Sequence, residues 1–381
     1  MYITTPMNSP SKTCIFDLFD TLLLKVAFDY NKGIDYLAKN HFGEENKEKL
    51  FSIASEFRSQ FMLDREKTQI DVSFEDQLKF YENRFNRKLA KKYSDIEWDF
   101  FLQCREERIA DGAINFLKYL KERGYTLAIL SNSIFSSETL KKYLEIHQIL
   151  HFFDVVISSA DIKYRKPSKK AFDTILEKVN IKASPEIYYI GNKLDKDFYG
   201  AYNAGLSPIL ISNNSIENIK PVFSNLNAVQ DFFERNFVYI NSISEYESLV
   251  DGPGLRTVVF FQGCLRHCEK CHNQSTWSLT QGKRYSVRQL AEIIKAKAKN
   301  KKITLSGGEP LLQQKAIVSL LNELPDFDIC LYTGGYLNDV SEDIKQRIHY
   351  LKIGAFDENR KTSTTPYVGS TNQSLIDLRG I

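Results

Sequence analysis

Three cysteines fall close together: Cys264, Cys268 and Cys271, spaced C-x3-C-x2-C. They follow the apolar run TVVFF, which reads as a strand, so the thiols stand on a loop past a strand end. Thiolates are the soft ligands that iron–sulfur clusters take. Three of them leave one iron of a four-iron cluster without a protein ligand, free to bind a small molecule as open positions do at other catalytic metals. A zinc ion is the alternative use, with His267 or His272 as fourth ligand. Zinc ligands usually come as two pairs set well apart, whereas this triplet is bunched. Downstream, Ser306-Gly307-Gly308-Glu309-Pro310 follows a second apolar strand. Glycines at a strand end let the backbone approach a ligand, and Glu309 can accept hydrogen bonds from an ammonium group. Pro310 suits the start of a helix.

A second set lies earlier. Asp17 ends the run CIFDLFDTLL, and a carboxylate at a parallel strand's carboxyl end sits where open α/β sheets bind ligands. Ser131 in ILSNS, Lys166 in KYRKPS, and Asn192 with Asp197 in YIGNKLDKD follow further apolar runs. Any one alone reads as a cap or a loop residue. Their order, each after an expected strand, is harder to assign to capping.

These residues need elements to hold them. An apolar strand is expected over 13–19, then a long helical pattern over about 26–108, with aromatic residues three and four apart. Helices at 113–123, 137–145, 169–179 and 197–204 then alternate with strands at 126–130, 155–158, 187–190 and 208–211. Such alternation means parallel βαβ units. A helix over 226–236 closes this domain, set at 11–235, and a second domain runs over 237–381. Its expected strands are 256–261, 302–305, 327–332 and 350–353, with helices at 287–297 and 311–323. It is too short for a closed eight-fold barrel of roughly 250 residues, so an open, partial one is expected.

At 381 residues, 43% hydrophobic and 26% charged, the chain suits two globular domains. A net charge of +3 argues for neither nucleic acid nor a membrane surface as partner. The lysines between 295 and 302 read as a solvated face. No run is long enough to cross a bilayer, and 1–13 lacks the apolar core of a signal peptide. That segment reads as a disordered lead-in, and a cytoplasmic location is expected. Cys14, Cys104 and Cys330 are scattered and read as reduced packing residues.

DGPGLRTVVFFQGC followed by CHNQSTW resembles the radical S-adenosylmethionine superfamily, and within it the activating enzymes of glycyl-radical enzymes, of the pyruvate formate-lyase type. The short domain, ITLSGGEPLLQ and GSTNQ at 369–373 are more similar to the activator of anaerobic ribonucleotide reductase. The resemblance covers about 239–377. It implies a [4Fe–4S] cluster on Cys264, Cys268 and Cys271, and S-adenosyl-L-methionine held at its methionine end by Gly307, Gly308, Glu309 and Pro310. It implies reductive cleavage to methionine and a 5′-deoxyadenosyl radical, which takes a hydrogen from a glycine of a partner glycyl-radical enzyme. A reductant such as flavodoxin or ferredoxin, and an anaerobic setting, go with it. One departure is Lys270, where the superfamily often carries an aromatic residue near the adenine.

The earlier set resembles the haloacid dehalogenase-like hydrolases over about 13–235, with the helical insert as their cap. The resemblance implies a Rossmann-like parallel sheet and a nucleophile, Asp17, that forms a phospho-aspartyl intermediate. Ser131 and Lys166 would hold the phosphoryl group, and Asp17, Asn192 and Asp197 would bind Mg2+. Two positions depart from it. Phe19 stands where phosphatases of this family carry a second Asp, the nearest acid being Asp20, and Asn192 stands where an acid is usual. The whole reads as an α/β fusion that activates a glycyl-radical partner. Two other readings stay open: a bifunctional enzyme acting on one phosphorylated metabolite or nucleotide, and a first domain that only binds or senses a ligand.

Overall fold

The computed structural model describes residues 12–379, so all but the end of the expected lead-in falls outside it. The chain packs as two compact units. One comprises Ser11–Lys121 and Tyr125–Ala228; the other comprises Val229–Ile381 with Glu122–Gly124.

The first unit is built on a parallel sheet. Its strands lie in the order Val155–Ser158, Thr126–Ser131, Thr13–Phe16, Tyr188–Gly191, Ser207–Ile211, Val222–Phe223. The central strands are nearly all buried, as strands covered on both faces must be. Helices Ala113–Glu122, Ser137–Ile146 and Lys169–Val179 are amphipathic, and the last packs Phe172 and Ile175 against Ile15, Leu130 and Tyr189. Burying a Phe or Ile side chain is worth about 1.5–3 kcal/mol. The strand order reverses at Thr13–Phe16, which opens a crevice at its carboxyl end.

Three expectations need correction. The first strand ends at Phe16, not residue 19. The insert is not helical from end to end. Leu23–Phe28 and Arg105–Ile109 are strands, paired antiparallel, and the helices rise from this stem. Pairing explains it: LLKVAF carries Val26 and Phe28, which suit a strand, and REERI becomes one only by pairing with it. Above the stem, Phe42, Phe57, Phe74, Tyr81 and Phe100 are buried together. In place of the helix expected at 197–204, a π-helical turn, Leu194–Tyr199, leads into Gly200–Asn203.

The second unit is an open, mixed sheet of seven strands. Their order is Lys283–Ser286, Phe237–Ile243, Thr257–Phe261, Lys302–Gly307, Asp328–Tyr332, Tyr350–Ile353, Ser374–Asp377. The middle four are parallel and the edges antiparallel. The three antiparallel strands are additions to the sequence expectation. Helices Val287–Lys297, Gln314–Glu323 and Glu342–Lys345 supply Leu290, Ile294, Ile317, Leu320 and Ile344 to a core with Val259, Ile303, Ile329 and Leu351. Residues of the opposite parity, such as Thr304, Ser306, Cys330, Tyr332 and Lys352, therefore point to the other face.

Candidate functional sites

In the second unit, register brings two distant motifs together. Thr257–Phe261 and Lys302–Gly307 are parallel neighbours, with Phe261 opposite Gly307. The loops leaving them therefore start side by side. Glu309 N donates to Gly263 O at 2.8 Å, and Gly308 N to Phe261 O at 2.9 Å. Asn273 Nδ2 reaches Gly307 O at 3.4 Å. Glycine is required here. A Cβ on Gly307, whose φ is +106°, would meet Phe261 N at 2.4 Å, and one on Gly308 would meet Gly263 O at 2.3 Å.

Cys264, Cys268, Cys271, Gly307, Gly308 and Glu309 line one open cleft. The three thiols are free; Cys264 is buried and the others half-buried. Burial pushes the Cys264 thiol up, against backbone N–H groups of Arg266 and His267 that favour its thiolate. Asn273 N donates to Cys271 Sγ at 3.4 Å. Such N–H bonds tune cluster sulfurs. Among the described residues, no three Cys, His, Asp or Glu side chains converge closely enough for a single metal ion. A cubane asks less, because each thiolate takes a different iron. The donor set and its glycine cradle fit an iron–sulfur cluster beside a small ligand.

Glu309 is already engaged. Its Oε1 accepts from Leu311 N at 3.2 Å and Thr333 Oγ1 at 2.8 Å. Its Oε2 accepts from Arg266 Nε and Gly334 N, both at 3.0 Å. A carboxylate offers about four acceptor sites, so this one tethers three loops and has none spare. Pro310 opens the short 3-10 turn Pro310–Gln313.

The cleft also holds residues that sequence reasoning missed. The Lys352 side chain makes no hydrogen bond or ion pair among the described residues; its Nζ lies 4.0 Å from the Tyr332 ring centroid. Burial lowers its pKa to about 8. The Tyr332 hydroxyl is buried without a partner. Phe356 lines the same cleft. Lys270 turns out instead, 67% exposed, toward Glu358 at 3.5 Å. The GSTNQ segment joins the wall through Gln373, whose Nε2 donates to Gly354 O at 2.8 Å. The strand alternation around Lys352 is the one signal that could have pointed to it.

In the first unit the crevice gathers the second set. Asp17 follows the central strand, with Ser131 ending one neighbouring strand and Asn192 following the other. Lys166 Nζ lies 2.6 Å from Asp17 Oδ1, Asp197 Oδ1 and Tyr189 OH alike. Asp197 Oδ2 accepts from Asn192 N at 3.0 Å and Lys193 N at 2.8 Å. Gly191 makes room, since a Cβ there would meet Asp197 Cγ at 2.4 Å. Burial pushes the Asp17 carboxyl up, against the pull of Lys166, to about 6. The two carboxylates hold Lys166 protonated despite its burial. Tyr189 carries no signal in the linear pattern beyond that of an ordinary strand residue.

Two buried groups remain without partners: Ser131 Oγ and Asn192 Oδ1. They suit a small polar ligand. Of the three residues expected to bind magnesium, both Asp197 oxygens are committed to Lys166 and to backbone N–H groups, which leaves Asp17 Oδ2 and Asn192 Oδ1 as the oxygens such an ion could take. Phe19 lies under the Arg105 guanidinium, 3.6 Å from ring centroid to Cζ, and Arg105 is held by Glu107 at 2.7 Å.

The haloacid dehalogenase-like hydrolase family model matches residues 11–205, and that of a 4Fe-4S single cluster domain matches 250–376. The anaerobic ribonucleoside-triphosphate reductase-activating protein of Vibrio cholerae is 33% identical over 140 residues, covering 33% of this chain and 90% of that protein. The pyruvate formate-lyase-activating enzyme of Clostridium pasteurianum is 40% identical over 104 residues, covering 26% of this chain and 43% of that protein. A solved HAD phosphatase from Thermococcus onnurineus superposes with a TM-score of 0.41 at 20% identity, over 58% of this chain and 97% of that one. No helix among the described residues is long and apolar enough to cross a membrane.

Proposed function

The chain belongs to the haloacid dehalogenase-like hydrolase family through its first unit and to the anaerobic ribonucleoside-triphosphate reductase-activating proteins through its second, and from this we propose that it generates a radical in a partner glycyl-radical enzyme. One observation carries the reading: the cysteine triplet and the Gly307–Pro310 loop share a single cleft. When bound there, a [4Fe–4S] cluster and S-adenosylmethionine supply one-electron cleavage of the sulfonium and abstraction of a hydrogen atom.

The chain's own residues bind, orient and shield. Cys264, Cys268 and Cys271 would hold the cluster. Gly307 and Gly308 let backbone lie against the methionine end. Glu309 acts as a tether, fixing Arg266, Thr333 and Gly334 around the ligand. Lys352 is the cation for a ligand carboxylate, a half-buried charge with no ion pair among the described residues. Phe356 offers the flat apolar surface for adenine that Lys270 does not. In the first unit, Asp17 is read as a nucleophile toward phosphorus, with Lys166 and Ser131 around the phosphoryl oxygens.

The test is anaerobic iron–sulfur reconstitution, then dithionite and S-adenosylmethionine. The expected product is 5′-deoxyadenosine, lost in Cys268→Ala. Adding an anaerobic ribonucleotide reductase should yield a glycyl radical by EPR. A reconstituted protein that holds one zinc and no cubane absorbance would overturn the assignment.

A further inference from the structure

We propose that the first unit takes a phosphoryl group from acyl or aryl phosphates onto Asp17 and then retains it, as a phosphoryl acceptor and not a phosphatase. This rests on reading Asp17 as a nucleophile, and it names the donor class and the fate of the group.

The site has what the first half of phosphoryl transfer needs. Asp17 Oδ1 is fixed by Lys166 and Oδ2 takes a long contact from Thr21 Oγ1, at 3.3 Å, with the Leu18 backbone N–H also favouring the carboxylate. That oxygen is the one free to attack. Lys166 is a buried cation beside it, and the Ser131 hydroxyl is buried with no partner. Both suit phosphoryl oxygens as charge spreads over them.

What is missing among the described residues is a group to move a proton. Phe19 sits two positions after Asp17, its ring covered by the Arg105 guanidinium. Asp20 cannot substitute. It is exposed, its φ is +59°, and its backbone N–H is tied to Leu23 O at 2.7 Å. Nearby carboxylates are committed elsewhere: Asp197 to Lys166 and two backbone N–H groups, Glu107 to Arg105 and Tyr143.

The chemistry then divides by leaving group. Asp17 Oδ2 forms a bond to phosphorus while the bond from phosphorus to the donor oxygen breaks, and the electron pair leaves on that oxygen. A carboxylate or phenolate departs without a proton. An alkoxide does not, and no acid is placed to supply one. The resulting aspartyl phosphate is a mixed anhydride. Its hydrolysis needs water to lose a proton as it attacks phosphorus, and no base is placed to take it. Loss of such assistance slows a step by roughly 10²–10⁴-fold.

Whole protein is incubated with acetyl phosphate, with and without Mg2+, and its intact mass is followed. One phosphoryl group should appear in at least one arm, be removed by hydroxylamine, and be absent from Asp17→Asn. Glycerol phosphate should give neither label nor free phosphate. Phe19→Asp should shorten the life of the phosphoprotein by roughly 10²–10⁴-fold. Should that variant fail to fold, the comparison of donors on the wild type still decides. Wild-type turnover of glycerol phosphate as fast as acetyl phosphate, or an unchanged lifetime in folded Phe19→Asp, would overturn retention while leaving Asp17 as nucleophile. No label and no release from any donor, in protein that still forms 5′-deoxyadenosine, would remove the nucleophile as well.

Discussion

The two candidate sites handle charge in opposite ways. Around Asp17 the buried ionised groups are paired: Lys166 bridges two carboxylates, and Arg105 meets Glu107. Only neutral groups, Ser131 and Asn192, are left unsatisfied. In the cysteine cleft the acidic group, Glu309, is tied down, and a cation, Lys352, has no ion pair among the described residues. Burying a charge without a partner is costly, so such a charge marks where a ligand of opposite sign completes the fold's electrostatics. The first site is closed on itself and suits a small group entering among neutral donors. The second is open and suits a larger ligand that brings its own carboxylate.

The largest expected effect tests the closed site. Lys166→Met leaves Asp17 and Asp197 facing each other without a cation, and should destabilise the first unit by about 3–5 kcal/mol at neutral pH. Urea unfolding measures it. A loss below about 1 kcal/mol, the size seen for exposed pairs, would show that Lys166 and its two carboxylates are not a balanced unit.

Lys352→Met tests the open site. A hydrogen bond to a charged group is worth about 1.5–3 kcal/mol, so S-adenosylmethionine affinity of the reconstituted protein should drop roughly 10- to 150-fold. Stability should hold or rise, because a half-buried charge with no ion pair among the described residues is removed. Equal affinity in the variant would erase the contrast between the sites.

A pH series sharpens the comparison further. Burial raises the Asp17 carboxyl from 3.8 to about 6, so its ionised, nucleophilic form is present above that value and is lost as pH falls through it. Labelling by acetyl phosphate should therefore decline about tenfold per pH unit below about 6, where an unperturbed carboxylate would hold its rate to about 4. A flat profile down to about pH 5 would place the nucleophile in a less buried setting.

The smallest effect belongs to the orphan hydroxyl. Ser131→Ala removes a buried group that has no partner, so the melting temperature should stay level or rise slightly, while phosphoryl labelling falls. A destabilisation above about 1 kcal/mol would mean that the hydroxyl is satisfied after all.

Much of the fold is legible in the amino-acid sequence. The alternating runs point to the parallel sheet of the first unit, because a buried parallel strand is a short continuous apolar run whatever surrounds it. Lys169–Val179 and Val287–Lys297 are marked by their amphipathic period. Edge strands such as Lys283–Ser286 and Ser374–Asp377 are not: four residues, half-exposed, carry little period, and they exist only through the neighbour they pair with.

Residue types and short spacings determined the chemistry on offer, since three thiols within two turns of loop, or two glycines before Glu309, are local facts. Tertiary structure alone decided which groups are used up and which are free. That Glu309 is saturated by Arg266, Thr333 and Gly334, that Phe19 lies beneath Arg105, and that Lys352 makes no ion pair among the described residues each depend on segments far apart in the chain. Burial and pairing are sums over such neighbours, and a linear pattern does not contain them.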